Sequence, residues 1–201
     1  MPAATIIFDL GKVIIDYDHG RACKKLSEHY GLDADDILRR IHGSLLERSF
    51  TAGLIDGARF TERVGQILGV KLDEQWLRSV WNEIFQENVE VSSLIRRLKP
   101  HHPLMILSNT NPWHWQYEYE HFAIVREIPT AVLSFKEGFL KPHPAIYRAA
   151  LEKADPGSPA IFIDDIENNA AAATMMGIHG VHFQSAAQLE RDLRALGCLL
   201  D

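Results

Sequence analysis

Cysteine is scarce in this chain. Cys23 and Cys198 stand alone, with no CxxC pair and no metal-ligand spacing, so neither a disulfide framework nor a thiolate-bound zinc module is encoded. Two free thiols in a reducing compartment are expected. An excess of positive charge is also missing. The 21 Lys and Arg against 27 Asp and Glu leave a net charge of −6, with the signs mixed along the chain, which argues against a nucleic-acid backbone as partner. No apolar run reaches membrane length. The first one, in MPAATIIFDLG, has no basic flank and is broken by Asp9, so neither a signal peptide nor a membrane span is expected and the location expected is cytoplasmic. Low-complexity tracts and internal repeats are lacking too. What is present, 46% apolar residues in 201, is enough to build a core and excludes wholesale disorder.

Short apolar runs at 4–8, 103–107, 130–133, 159–163 and 178–183 have strand length and little alternation, the pattern of parallel strands buried on both faces. Helix signals lie between the later runs. Asn111-Pro112 supplies a cap and a first-turn proline, and His143-Pro144 opens a segment with Ile146, Ala150 and Leu151 on one face. An alanine-rich stretch at 168–176 stops at Gly177, and Ser185 caps a last helix running to about Leu196. The region from about Tyr17 to Lys99 reads as helices only, opening at Asp18, Asp33, Asp56 and Asp73 and closing at Gly31, Gly43, Gly69 and about Phe85. These patterns predict a doubly wound parallel α/β core at 1–16 and 95–201, with an α-helical cap inserted at 17–94. Phe50, Leu54, Ile55, Phe60, Trp76, Val80 and Ile84 are expected to form the cap's own core.

In open parallel sheets, ligands bind beyond the carboxyl ends of the strands. Asp9 in FDLGKV, Ser108-Asn109 in LSNTN, Lys141 in FLKPHP and Asp164-Asp165 in FIDDIENN all stand near such ends. One Asp after a strand is commonly a turn residue or a helix cap. Three carboxylates converging with a hydroxyl, an amide and an ammonium need a cation to stay ionised, and a hard oxygen site of this kind suits Mg²⁺. The ammonium and hydroxyl suit a phosphoryl group, and a carboxylate beside it can attack. The residues therefore point to Mg²⁺-dependent phosphoryl transfer through an aspartate.

The four segments, in this order, resemble the four motifs of the haloacid dehalogenase superfamily, and 17–94 sits where that family inserts a helical cap. With FTAGLIDGARF, they are most similar to bacterial α-D-glucose-1-phosphate phosphatase-like members. The resemblance implies Asp9 as nucleophile and metal ligand, and Ser108 and Asn109 as holders of the transferring phosphoryl oxygens. It makes Lys141 the residue that neutralises the phosphate and restrains Asp9. Asp165 and Asp164 are implied as metal ligands, Asp165 directly and Asp164 beside it or through water. The Gly11 carbonyl is a further implied ligand.

Gly11 is also the departure. Most phosphatases of that superfamily carry an acid/base Asp there, and glycine has no side chain to move a proton, a function worth about 10²–10⁴-fold in rate. A phosphatase for a small phosphorylated metabolite, a sugar phosphate above all, is the first reading. The alternatives are a metal-independent 2-haloacid dehalogenase, with Arg39 and Arg40 as candidate anion binders, and a non-catalytic phosphate-ligand binding protein. Asp16 and Asp18 are candidate replacement bases, and Lys136 is a rival to Lys141. The run PWHWQYEYEHF is expected to pack on cap and core, with Trp113 and His114 nearest the substrate. None of the ten histidines has HxxxH spacing near a carboxylate, so a His-bound transition metal is not expected. The expected partner is a small-molecule phosphorylated substrate, with no nucleic acid and no membrane, and the chain is expected as a monomer or homodimer.

Overall fold

The computed structural model describes residues 3–199. In chain order, β1 (Thr5–Phe8) and β2 (Ile15–Tyr17) precede five helices, α1 (His19–Tyr30), α2 (Ala34–Ile41), α3 (Leu45–Thr51), α4 (Gly57–Leu68) and α5 (Glu74–Asn82). Then come β3 (Phe85–Glu87), α6 (Val89–Leu98), β4 (Leu104–Ser108), α7 (Pro112–His121), α8 (Ala123–Glu127), β5 (Thr130–Leu133) and α9 (Ser134–Glu137). The chain closes with α10 (Pro144–Lys153), β6 (Ala160–Asp164), α11 (Glu167–Met175), β7 (His179–His182) and α12 (Ala186–Ala195).

The main sheet has the order β5-β4-β1-β6-β7, every pair parallel. Its strands are buried on both faces because each side carries its own apolar layer. Ile6, Phe8, Ile106 and Ile163 face α6, α8 and α12, while Ile7, Leu107, Val132 and Phe162 face Ile146, Tyr147 and Ala150 of α10. Fully burying a side chain of this size stabilises by about 1.5–3 kcal/mol. The five runs seen in the sequence are these five strands, to within a residue or two at each end.

Helices α1–α5 wrap a separate apolar cluster that includes Leu26, Ile37, Phe50, Phe60, Leu77 and Trp81. Phe50 and Phe60 stack with ring centroids 4.6 Å apart. Side chains of Asp18, Asp33, Asp56 and Asp73 each accept a hydrogen bond from a first-turn N–H of the helix they open, which is why those starts were legible.

Three expectations are corrected. The region after Tyr17 is not helices only: the helix opened at Asp73 ends at Asn82, and Phe85–Glu87 pairs antiparallel with β2 to make a two-stranded ribbon under the helical layer. The boundary expected at 94/95 falls inside α6, whose Val91, Leu94, Ile95 and Leu98 pack in the main core. Leu54 is 71% exposed and Trp76 only half-buried, so neither belongs to the centre of the cap cluster. Helices α3, α8 and α9, of seven residues or fewer, lacked the length for a clear apolar period. Cys23 and Cys198 are free and buried, in different apolar clusters. Among the described residues no helix is long and apolar enough to cross a membrane.

Candidate active site

Register brings the chemistry together. Phe8 pairs with Ile163, and the next N–H, that of Asp9, donates to the Ile163 carbonyl at 2.8 Å, so Asp9 lies next to Asp164. Lys141 Nζ is 2.8 Å from Asp9 Oδ1 and 2.6 Å from Asp164 Oδ2. Asp164 is fully buried, and its Oδ1 accepts from the Ile166 N–H and from Asn169 Nδ2. The Lys141 loop is held against the β4 loop by a reciprocal pair: the Lys141 N–H donates to Asn109 Oδ1 at 2.8 Å, and Asn109 Nδ2 donates to the Lys141 carbonyl at 3.2 Å. Ser108 ends β4, buried, and Asn111 rather than Ser108 or Asn109 caps α7. Among the described residues no side chain caps α11, and Asn169 is turned to Asp164.

Burial pushes the Asp9 carboxyl up to about 7, with Lys141 working against it and Asp164 adding to it. Burial alone would lower the Lys141 pKa, but Asp9 and Asp164 outweigh it and hold the ammonium above its ordinary value. Asp165 is raised, by burial and then by Asp164. Asp9, Asp164 and Asp165 each offer an oxygen, all within 4.8 Å of one another. Three carboxylates against one ammonium leave two negative charges, which a divalent oxygen-seeking cation would balance.

Above this cluster is a cavity of about 170 Å³, with Gly11, Ser108 and Asn109 in its floor. Tyr17, His19, His42 and Glu47 close one side, and His114 and Glu118 of α7 another. A Cβ at Gly11 would stand 2.8 Å from Cε1 of Tyr17, so the tyrosine ring fills the space a side chain at position 11 would need. The ring is held by the Lys12 ammonium, 4.7 Å from its centroid. Burial first, then Asp9, raise the Tyr17 phenol to about 12.

Sequence reasoning missed His19, His42 and Glu47. His42 Nδ1 is 3.3 Å from Glu47, the His19 and His42 rings are 4.3 Å apart, and ligand atoms of all three lie within 4.8 Å of each other. His42, just after α2, and Glu47 of α3 are neighbours in the chain, but His19 comes from α1, so only the fold brings the three together. Burial, then His42, lower His19 to about 4, while Glu47 raises His42. Of the two residues singled out in PWHWQYEYEHF, His114 reaches the cavity, whereas Trp113 is buried against Phe50 and Phe60. Asp16 and Asp18 are exposed and do not line the cavity, and Asp18 is spent on the α1 cap. Arg39 and Arg40 pair with Asp36 on the surface, and Lys136 is exposed.

A sequence model of the haloacid dehalogenase-like hydrolases matches residues 3–177. The chain belongs to that family. Within it, this hydrolase is 24% identical over 200 residues to a D-ribitol-5-phosphate phosphatase of Bacteroides thetaiotaomicron, an alignment covering 95% of this chain and 97% of the relative. Its fold matches a haloacid dehalogenase family enzyme of the same organism crystallised with magnesium and inorganic phosphate, at a TM-score of 0.79 and 22% identity, over 93% of this chain and 98% of that one. It also matches an L-2-haloacid dehalogenase of Xanthobacter autotrophicus with chloropropionic acid covalently bound, at a TM-score of 0.66 and 18% identity, over 98% and 85%.

Proposed function

We propose that this hydrolase is a Mg²⁺-dependent phosphatase of a small phosphorylated metabolite, of the sugar-phosphate or polyol-phosphate class, acting in the cytoplasm as a monomer or homodimer. The observation that carries this is the buried Asp9–Lys141–Asp164 chain, with Asp165 beside it, close in sequence to Gly11, Ser108 and Asn109, which line a small cavity. The relative that hydrolyses ribitol phosphate and the neighbour that holds magnesium and phosphate support it. In this reading the helical layer of α1–α5 is a cap that excludes bulk water from the site.

Asp9, Asp165 and the Gly11 carbonyl would hold the cation, with Asp164 beside them. When bound, Mg²⁺ supplies charge neutralisation to the phosphoryl oxygens and keeps the carboxylates ionised. Lys141 holds Asp9 in position and meets a phosphoryl oxygen, and Ser108 and Asn109 orient the others. An Asp9 oxygen attacks phosphorus in line. The Asp9 O–P bond forms while the ester P–O bond breaks, and the alcohol leaves with a proton taken from solvent, since position 11 offers none. Water then attacks the aspartyl-phosphate, releasing phosphate and restoring the carboxylate.

The test is phosphate release from a panel of sugar and polyol phosphates, with Mg²⁺ and with a chelator, beside Asp9→Asn. Turnover that needs the metal and vanishes in Asp9→Asn is expected. Chelator-resistant halide release from 2-chloropropionate, with no phosphate release, would replace this reading by the dehalogenase one. Tight binding of phosphate esters without turnover would replace it by a binding role.

A further inference from the structure

Two buried polar atoms near the cavity have nothing to bind. Oε2 of Glu118 and Nε2 of His114 have no hydrogen-bond partner among the described residues, although both side chains are buried. An orphaned buried polar atom is destabilising, and native structures rarely keep one without a reason. The two residues are four apart on α7 and so share one face, and both line the same cavity. That helix starts immediately beyond Ser108-Asn109, and Asn111 pins its first turn by accepting from the N–H groups of Trp113 and His114. The distance from phosphate floor to orphaned wall is therefore set by a rigid element.

We propose that His114 and Glu118 form a hydroxyl-reading subsite, so that the leaving group of the substrate is a short uncharged polyhydroxyl chain, with Glu118 the residue that determines this specificity. The proposal rests on the phosphatase reading above and names its substrate class. Burial, and then Asp9, raise the Glu118 pKa well above 4.5, which favours the neutral carboxyl, a group able both to donate and to accept. Burial, then His19, push His114 down to about 3, with Glu47 and the Trp81 backbone pulling weakly the other way, so the ring is neutral; one nitrogen meets the Trp81 backbone and Nε2 is left to meet a hydroxyl. A sugar alcohol offers hydroxyls that match both roles. A hydrocarbon tail would leave both atoms orphaned. A carboxylate tail would bring negative charge beside Glu47, whose carboxyl burial would raise but His42 and the Gly43 N–H hold below its ordinary value.

The experiment compares ribitol 5-phosphate, pentyl phosphate and 3-phosphoglycerate as substrates of the wild type, Glu118→Gln and Glu118→Leu, with thermal melting of each. The wild type should prefer ribitol over pentyl phosphate by at least about 10²-fold in kcat/KM and disfavour the carboxylate ester. In Glu118→Leu the fall on ribitol phosphate should exceed the fall on pentyl phosphate by at least about tenfold, mainly through KM, with Tm unchanged or raised because the orphan is gone. Glu118→Gln, which keeps a donor and an acceptor, should retain most of the preference. Equal falls on both esters, or a preference that survives Glu118→Leu, would overturn the subsite. If neither ester nor p-nitrophenyl phosphate is turned over with Mg²⁺, the phosphatase reading fails separately. Calorimetric binding of ribitol and pentyl phosphates to the same proteins then decides the subsite: tighter ribitol binding lost in Glu118→Leu upholds it, and equal binding rejects it.

Discussion

Tyr17 and Gly11 form a single unit at the residue scale. The ring of Tyr17 lies where a side chain at position 11 would begin, 2.8 Å from an added Cβ, so installing the missing acid by Gly11→Asp alone forces two groups into one space. Gly11→Asp is expected to lower turnover and stability. The double variant Gly11→Asp/Tyr17→Ala is expected to exceed Gly11→Asp alone by about 10²-fold or more in kcat, the low end of what a placed general acid contributes. A kinetic double-mutant cycle measures it, and additive single effects would show that the two positions are not coupled. Lys141 is the other residue-scale lever. It is 5% exposed between two carboxylates, and Lys141→Met leaves Asp9 and Asp164 facing each other without compensation. A loss of about 3–5 kcal/mol is expected, read from urea denaturation without metal, and added Mg²⁺ should recover part of it.

Among the elements, α7 carries the opposing titrations. His114 has a folded pKa of about 3 against an ordinary 6.5, so the unfolded chain binds more protons between those values. Its contribution to stability is fully present above about pH 6.5 and fades as pH falls. Glu118 behaves in the opposite sense: its folded pKa lies above 4.5, so the folded state holds the extra proton and stability is lost as pH rises beyond that value. Glu118→Gln cannot ionise. Its Tm relative to wild type should therefore climb between pH 5 and pH 8, and a constant difference across that range would show that Glu118 ionises freely in the folded protein. The same helix shows how far sequence reasoning reaches. Asn111-Pro112 announced its start because cap and first-turn chemistry are local, but the direction of each aromatic depended on what packs around it. Trp113 went into the cap cluster and His114 to the cavity.

For the molecule as a whole, one contact between the helical layer and the sheet domain is unusually tight. Gly53, with φ of +70°, approaches the backbone of Phe135 so closely that an added Cβ would lie 2.1 Å from its carbonyl oxygen. Beside it, Ser134 Oγ donates to the Thr51 carbonyl at 2.6 Å. Gly53→Ala has to lift this corner, displacing Glu47 and His42 above the floor. A fall in kcat/KM on the order of 10²-fold is expected while the core stays folded, since a misplacement of about 1 Å has that effect. Circular dichroism and turnover of the same sample check it, and full activity would mean the corner does not position the cap.

The sequence by itself determined the parallel sheet and most of its flanking helices, together with the convergence of Asp9, Ser108, Asn109, Lys141, Asp164 and Asp165. These follow from local rules: strands buried on both faces read as short apolar runs, helix caps are set within one turn, and parallel topology carries strand ends to one edge. What lay outside such rules was decided only in three dimensions. The β2–β3 ribbon joins residues about seventy positions apart and too few in number to show a period. His19 of α1 meets His42 and Glu47 from the turn and helix after α2, Tyr17 takes the place left open at Gly11, and Glu118 Oε2 has no partner among the described residues. Each of these depends on which side chains the tertiary structure brings within contact, and that information is held in no single stretch of the chain.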